Sequence, residues 1–232
     1  ELFPQPEDPH AGAFAGYSAL VKSGKHEAPS IHADHFITNR AYGATAYSFG
    51  ELFVHQLSGV VGEKELKVGL VRYYDVCKFK HPEPIDFERV LEKRTGIELD
   101  WYFDEWINTT RTLDYGIRSV LGLEGGTVIE LERIEEQLMP LDLNVELRDG
   151  TVRRYHIPLS LQRGVKGPDS EPFNFAALPA WQWTDPTYVI TLPMTMGLIK
   201  TITIDPMSRT ADMDRTNNTV ELPTGTSGFA RP

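Results

Sequence analysis

The hydrophobic period of this chain changes once, near residue 115, and that change limits the possible folds more than any other feature. Before it, apolar residues recur at helical spacing. In GIELDWYFDEWI, Leu99, Tyr102, Phe103, Trp106 and Ile107 fall at i, i+3, i+4, i+7 and i+8, while Asp100, Asp104 and Glu105 mostly take the other face. After Asp114 the period drops towards two, and YGIRSVL, TVIELERI, LNVELRDG, TVRRYHIPLSL, TYVITLP and LIKTITIDP read as strands. Helices first and strands second make an α+β chain. The pattern predicts a helical unit over 1–114, a small antiparallel β-sandwich over 115–215, and a polar Gly/Pro/Thr-rich flexible tail over 216–232.

Within the helical unit, GYSALVKSG (16–24) reads as a short helix closed by Gly24. An apolar helix follows over 44–61, with a left-handed cap available at Gly62, and another over 63–79. Pro84 stands at a helix start, where its missing N–H costs nothing, and Gly96 ends that helix before the stripe of 99–107. Among the strands, Asp149-Gly150 marks a hairpin, and a type I′ turn there needs positive φ at both positions. The stretch from Arg163 to Pro186 reads as a Gly/Pro-rich loop, and the N-terminus ELFPQPEDPHAGAFAGY, which begins in Pro-rich loop sequence, resembles no domain start or signal peptide.

Charge and composition exclude several functions. The formal net charge is −10 with no basic stripe, which argues against nucleic acid and against an anionic membrane surface. No run of 18 apolar residues exists, so no membrane span is expected. Cys77 is the only cysteine, which rules out an intrachain disulfide and a multi-cysteine zinc site; its apolar setting reads as packing. Histidines give no metal motif. His26-Glu27 is followed by Pro29 and Ser30 where a His-Glu-x-x-His helix needs helix-compatible sequence and a second histidine. His32 and His35 read as local loop histidines, and His55, His81 and His156 as structural ones. Two Asn-x-Thr sequons begin at Asn108 and Asn217, which matter only in a eukaryotic secretory setting.

Tyr42 and Tyr47 in AYGATAYSFGELFVHQL remain, as core filling or as chemistry. Tyr47-Ser48-Phe49-Gly50 and the apolar run after it resemble the Tyr-x-Lys-Gly segment of the zinc aminopeptidase family that contains aminopeptidase N and leukotriene hydrolase, the gluzincins. Downstream, Phe79-Lys80-His81-Pro82, Asp86-Phe87 and the Gly96–Trp106 stretch are similar to steps in bacterial relatives, and the strands resemble the β-sandwich that follows the catalytic domain in many of them. The resemblance covers roughly residues 10–215 and is most specific over 40–117. Position 49 departs from it, with Phe for Lys, and the His-Glu-x-x-His zinc motif is absent.

The resemblance implies the C-terminal part of a zinc metallopeptidase: the last helices of a thermolysin-like catalytic domain, then a β-sandwich. It implies that Tyr47 donates a hydrogen bond to the oxyanion of the tetrahedral intermediate and that Tyr42 lines the substrate pocket. Zinc and its ligands would come from missing upstream sequence, so no metal ligand is assigned in this chain, which alone would be inactive. A peptide substrate and the N-terminal part of its own catalytic domain would be the partners. Export of many bacterial relatives leans the compartment towards the periplasm. The competing expectation is a non-catalytic binding or scaffold module, with the tyrosines as core.

Overall fold

The structure is a computed structural model and describes residues 8–168, 174–225 and 228–231. The first seven residues of the Pro-rich N-terminal stretch, and part of the long loop within 163–186, lie outside the described residues. The fold is α+β: helices α1 (Ala11–Lys22), α2 (Asn39–Gly43), α3 (Gly50–Val61), α4 (Glu63–Cys77), α5 (Pro84–Thr95) and α6 (Asp100–Asn108) precede every strand. No helix among the described residues is long and apolar enough to cross a membrane.

Local chemistry explains the helix limits. Helix α1 starts five residues before the expected point, because AGAFAG continues the helix with small residues that let its neighbour come close. A Cβ on Gly16 would collide with the Ser48 side chain. Gly62, at φ 92° and ψ 143°, is not a left-handed cap but a positive-φ corner that swings the chain from α3 straight into α4. Pro84 opens α5 beside a capping box in which the Glu83 and Asp86 side chains accept from each other's backbone N–H groups, and Gly96, left-handed at φ 70°, closes it.

Strands follow from Tyr115. One sheet has the order β6-β2-β1-β9 and the other β5-β4-β3-β7-β8, where β1 is Tyr115–Leu123, β2 Gly126–Arg133, β3 Leu141–Leu147, β4 Val152–Ile157, β5 Phe175–Ala177, β6 Thr187–Leu192, β7 Ile199–Ile204, β8 Thr219–Glu221 and β9 Gly228–Ala230. A bulge between Ile117 and Ser119 adds one residue to β1 and so turns Ile117 and Val120 to the same buried side, which strict alternation forbids.

Three expectations for this half are corrected. The β3–β4 turn forms, but not as type I′. Gly150 has φ 87°, Asp149 is not among the positive-φ residues, and the Gly150 N–H donates to Leu147 O at 3.0 Å. This is a type I turn followed by a left-handed glycine, with the Asp149 carboxylate accepting from Thr151 N–H at 2.8 Å. The sheets are not wholly antiparallel, because β5 runs parallel to β4. The described part of the tail expected over 216–232 is not loose: β8 pairs with β7 and β9 with β1, so it borders both sheets.

Most of the buried apolar residues among those described form one cluster. It contains Leu52, Leu57, Leu91 and Trp106 from helices together with Ile117, Leu131, Val145 and Ile202 from strands. Polar links cross the same seam. Ala211 N–H donates to the buried Gln56 Oε1 at 2.7 Å, and Glu98 N–H to Arg163 O at 2.9 Å.

Candidate functional site

Tyr42 and Tyr47 stand on a helical rod made of α2, a π-helical segment (Ala44–Phe49) and α3. Thr38 starts it, its hydroxyl accepting from Ala41 N–H at 3.1 Å. At 3.6 residues per turn, side chains five apart point about 140° away from each other. The wider π turn, with its i→i+5 bonding, reduces that divergence, and such turns occur often at functional sites. Ala41, Thr45, Phe49, Leu52 and Gln56 point inward, whereas Tyr42 is 43% exposed and Tyr47 79% exposed. Tyr42 packs edge-on against Phe36 with ring centroids 5.4 Å apart. Neither tyrosine fills the core.

Phe49, at the position where the resemblance leads one to expect lysine, is buried. Its ring lies 5.5 Å from Tyr17, 6.0 Å from His26 and 6.0 Å from Trp106. The Tyr17 hydroxyl, both His26 ring nitrogens and Trp106 Nε1 are buried here without hydrogen-bond partners among the described residues. Burial lowers the pKa of His26 and raises that of Tyr17, so both are neutral near pH 7.

One turn beyond Tyr47, Glu51 borders a groove of about 690 Å³. His10 Nδ1 lies 2.7 Å from Glu51 Oε1, and the His10 ring stacks on His55 at 3.8 Å. Burial, then the charge of His10, holds the pKa of His55 below its usual value. Sequence alone did not single out this arrangement, since His10 and His55 are 45 positions apart.

His32 and His35 behave as local loop histidines. Asp34 N–H donates to His32 Nδ1 at 3.3 Å, and the two rings lie 5.8 Å apart on the surface. His156 is fully buried and lies 2.8 Å from Asp142, which also accepts from Lys166 Nζ at 2.6 Å. Burial pushes the Asp142 pKa up, but these partners outweigh it and hold the carboxyl below its usual range. Zinc needs a near-tetrahedral set of nitrogen, sulfur or carboxylate ligands. Among the described residues the histidines do not gather into such a set, and the one group of three with metal-ligating spacing is all carboxylate, Glu88, Glu92 and Asp100. That group holds only hard oxygen donors and no histidine or cysteine, so the described residues do not fit a zinc centre.

The chain is thus an α+β fold in which two exposed tyrosines stand on one helical rod of the helical half. No protein-family model matches the chain, and no curated protein matches it either. Among solved structures, the chain is similar in fold to part of aminopeptidase A from Legionella pneumophila, determined in complex with aspartic acid. The TM-score is 0.54 and the identity 8%, over 86% of this chain and 22% of the other. The chain therefore spans about a fifth of that protein's length, and the likeness is one of fold alone.

Proposed function

We propose that this chain is the C-terminal part of a zinc-dependent metallopeptidase of aminopeptidase type. The helices over 1–114 would complete a thermolysin-like catalytic domain, followed by a β-sandwich over 115–215. The observation that carries this reading is Tyr47, 79% exposed on a helical rod whose Phe49, two residues on, is buried. A hydroxyl held out on a rigid rod is placed as a hydrogen-bond donor should be. The peptidase-like fold supports the same reading.

In the intact enzyme Tyr47 donates its O–H to the scissile carbonyl oxygen of a peptide substrate as charge develops there. Such a bond strengthens mainly in the transition state, so it raises turnover more than binding. Tyr42 lines the same side of the rod and holds the substrate chain. Zinc would supply water activation and carbonyl polarisation in the intact enzyme. Its ligands would come from the N-terminal part of the catalytic domain and not from this chain, which alone would be inactive.

A second reading rests on Phe49. An aromatic residue built into the core where the motif carries lysine suits a non-catalytic relative kept for binding or scaffolding. Kinetics on the full-length parent separate the two. Tyr47→Phe should lower kcat about 10²–10³-fold with KM little changed, as for loss of one oxyanion donor. Tyr42→Phe, which keeps the pocket-lining ring, should lose far less. Equal turnover for wild type and Tyr47→Phe would remove Tyr47 from the catalytic machinery, and a parent without peptidase activity would return the chain to the scaffold reading.

A further inference from the structure

Helix α4 ends in a turn that suits glycine and carries phenylalanine. Lys78 N–H donates to Tyr74 O and Lys80 N–H to Cys77 O, both at 2.9 Å, and between them Phe79 takes a φ of 62°. In that left-handed region a Cβ crowds the backbone, which is why glycine commonly closes a helix this way. Among the described residues the other non-glycine residues at positive φ are Asp205 and Ser208. They form one polar turn, in which the Asp205 carboxylate accepts from Arg209 and Thr210 N–H. Phe79 has no such compensation, and its ring is fully exposed. Folding alone gives no reason for phenylalanine at this position.

The surroundings of the turn are cationic. Cys77 and Lys80, on either side of it, line a cleft of about 390 Å³ together with His81, Arg89 and Lys93. Arg89 and Lys93 are four apart on α5 and share a helix face. The side chains of Lys80, Arg89 and Lys93 form no hydrogen bond or ion pair among the described residues, whereas Lys78 and Arg94 nearby pair with Asp75 and Glu65. Asp86, the acidic residue on the cleft, already accepts from Glu83 N–H at 2.9 Å. Three cations are thus left over on one small surface of a chain whose net charge is −10. Val71 and Tyr74 are exposed three apart on α4, so apolar surface leads up to the turn.

We propose that the end of α4 binds an acidic segment of a partner protein, with Phe79 seated against an apolar side chain of that segment and Lys80, Arg89 and Lys93 facing its carboxylates. Exposed cations alone need no partner, because water solvates them. The ring beside them does, since a fully exposed aromatic on a strained turn is idle in the free chain and is the residue type that anchors protein contacts. Charge complementarity then sets the class of partner, because unpaired cations select carboxylates and steer their approach. A nucleic acid fits less well, since its phosphates would also meet the negative field of the whole chain.

Fluorescence anisotropy of a labelled peptide of repeating Glu-Glu-Leu, titrated with the full chain, tests this. Binding should saturate, weaken with added salt, and be lost when glutamine replaces glutamate in the peptide. Phe79→Gly should weaken binding by more than about tenfold and yet raise the melting temperature by about 1–3 °C, because glycine relieves the turn. The double substitution Lys80→Glu with Lys93→Glu should weaken binding by more than about tenfold, with wild-type circular dichroism, since both side chains are exposed. Absence of saturable binding, equal binding of the glutamine peptide, or equal binding by the variants overturns the proposal. A lower melting temperature for Phe79→Gly also overturns it, by giving the ring a structural role. So does tighter binding of a single-stranded oligonucleotide, or self-association on gel filtration that Phe79→Gly abolishes, which would make the occupant a second copy.

Discussion

Tyr47 and Phe49 are two positions apart and have opposite fates, and their substitutions should differ accordingly. Phe49→Ala removes a ring packed against Tyr17, His26 and Trp106 and should cost about 3–5 kcal/mol. Tyr47→Ala, at an exposed position, should stay within about 0.5 kcal/mol. Urea midpoints of the two variants check this, and equal losses would mean that Tyr47 also packs. Residues two apart on a helix point about 200° apart, so spacing sends one of the pair outward but does not say which, in an apolar run that contains both. The π segment over Ala44–Phe49, which sets the local register, leaves no mark in composition. Asp212 was equally invisible. Burial pushes its carboxyl up to about 6, against hydrogen bonds from Tyr115 N–H, Asp214 N–H and Asn218. A carboxyl whose folded pKa exceeds its usual 3.8 favours the protonated fold. Its stabilising contribution is fully present below the unfolded pKa and is lost as pH rises through about 6. Asp212→Asn should therefore flatten the stability profile between pH 4 and 7 by on the order of 2–3 kcal/mol. Chemical denaturation of both proteins across that range measures the slope, and parallel profiles would refute the assignment.

The helices from α3 to α6 and the longer strands were the readable part, because periodicity and breakers act locally. Helix α5 is flanked by Pro84 and Gly96, and the amphipathic stripe of α6 faces the core as its spacing requires. The β3–β4 hairpin was readable from Asp149-Gly150, although its turn type was not, since Asp-Gly serves both a type I′ turn and a type I turn with a following left-handed glycine. Strand β5 could not be read, because three residues inside a Gly/Pro-rich stretch carry no period and pair only through a partner elsewhere in the chain. Contacts between elements were hidden for the same reason. Gly164 shows this. Its φ is 85°, and a Cβ there would lie 2.7 Å from Gly96 O and 3.1 Å from Ile97 Cα, both backbone atoms that cannot step aside. It lets the 162–164 loop lie against the α5–α6 turn, where Arg163 O accepts from Glu98 N–H. Gly164→Ala combines backbone strain with a backbone clash and should cost about 2–3 kcal/mol. Gly167→Ala, in the same loop with open space around its Cβ position, is the control. Equal thermal midpoints for the two variants would show that this contact is not tight.

The two halves share one core, and that fact decides how the molecule should unfold. Trp106 lies in the helical half and Trp181 in the strand half, both 2% exposed, and both belong to the single apolar cluster. Helical circular dichroism and tryptophan fluorescence should therefore report one coincident transition rather than two. The segment 216–232 has the sharpest consequence. Read as sequence it is a polar tail, rich in the residues that end domains, and local pattern offers no reason to keep it. In the fold it borders both sheets and holds the seam. Asn217 Nδ2 donates to Asp114 Oδ1 at 2.6 Å and Asn218 Nδ2 to Asp212 Oδ2 at 3.2 Å, all buried, while Val220 and Leu222 enter the core. Leu222 N–H donates to Lys200 O at 2.8 Å, and Arg231 N–H to Arg118 O at 2.9 Å. A chain ending at residue 215 would strip the edges of β1 and β7, leave Asp114 and Asp212 buried without their amide partners, and uncover apolar surface. Such a chain should express mainly as aggregate, and any soluble fraction should bind a hydrophobic dye and melt well below the full chain. A flexible tail would lose nothing on the same truncation. Gel filtration and melting of the two forms side by side therefore distinguish them, and a monomeric truncated chain with an unchanged midpoint would remove the segment from the fold.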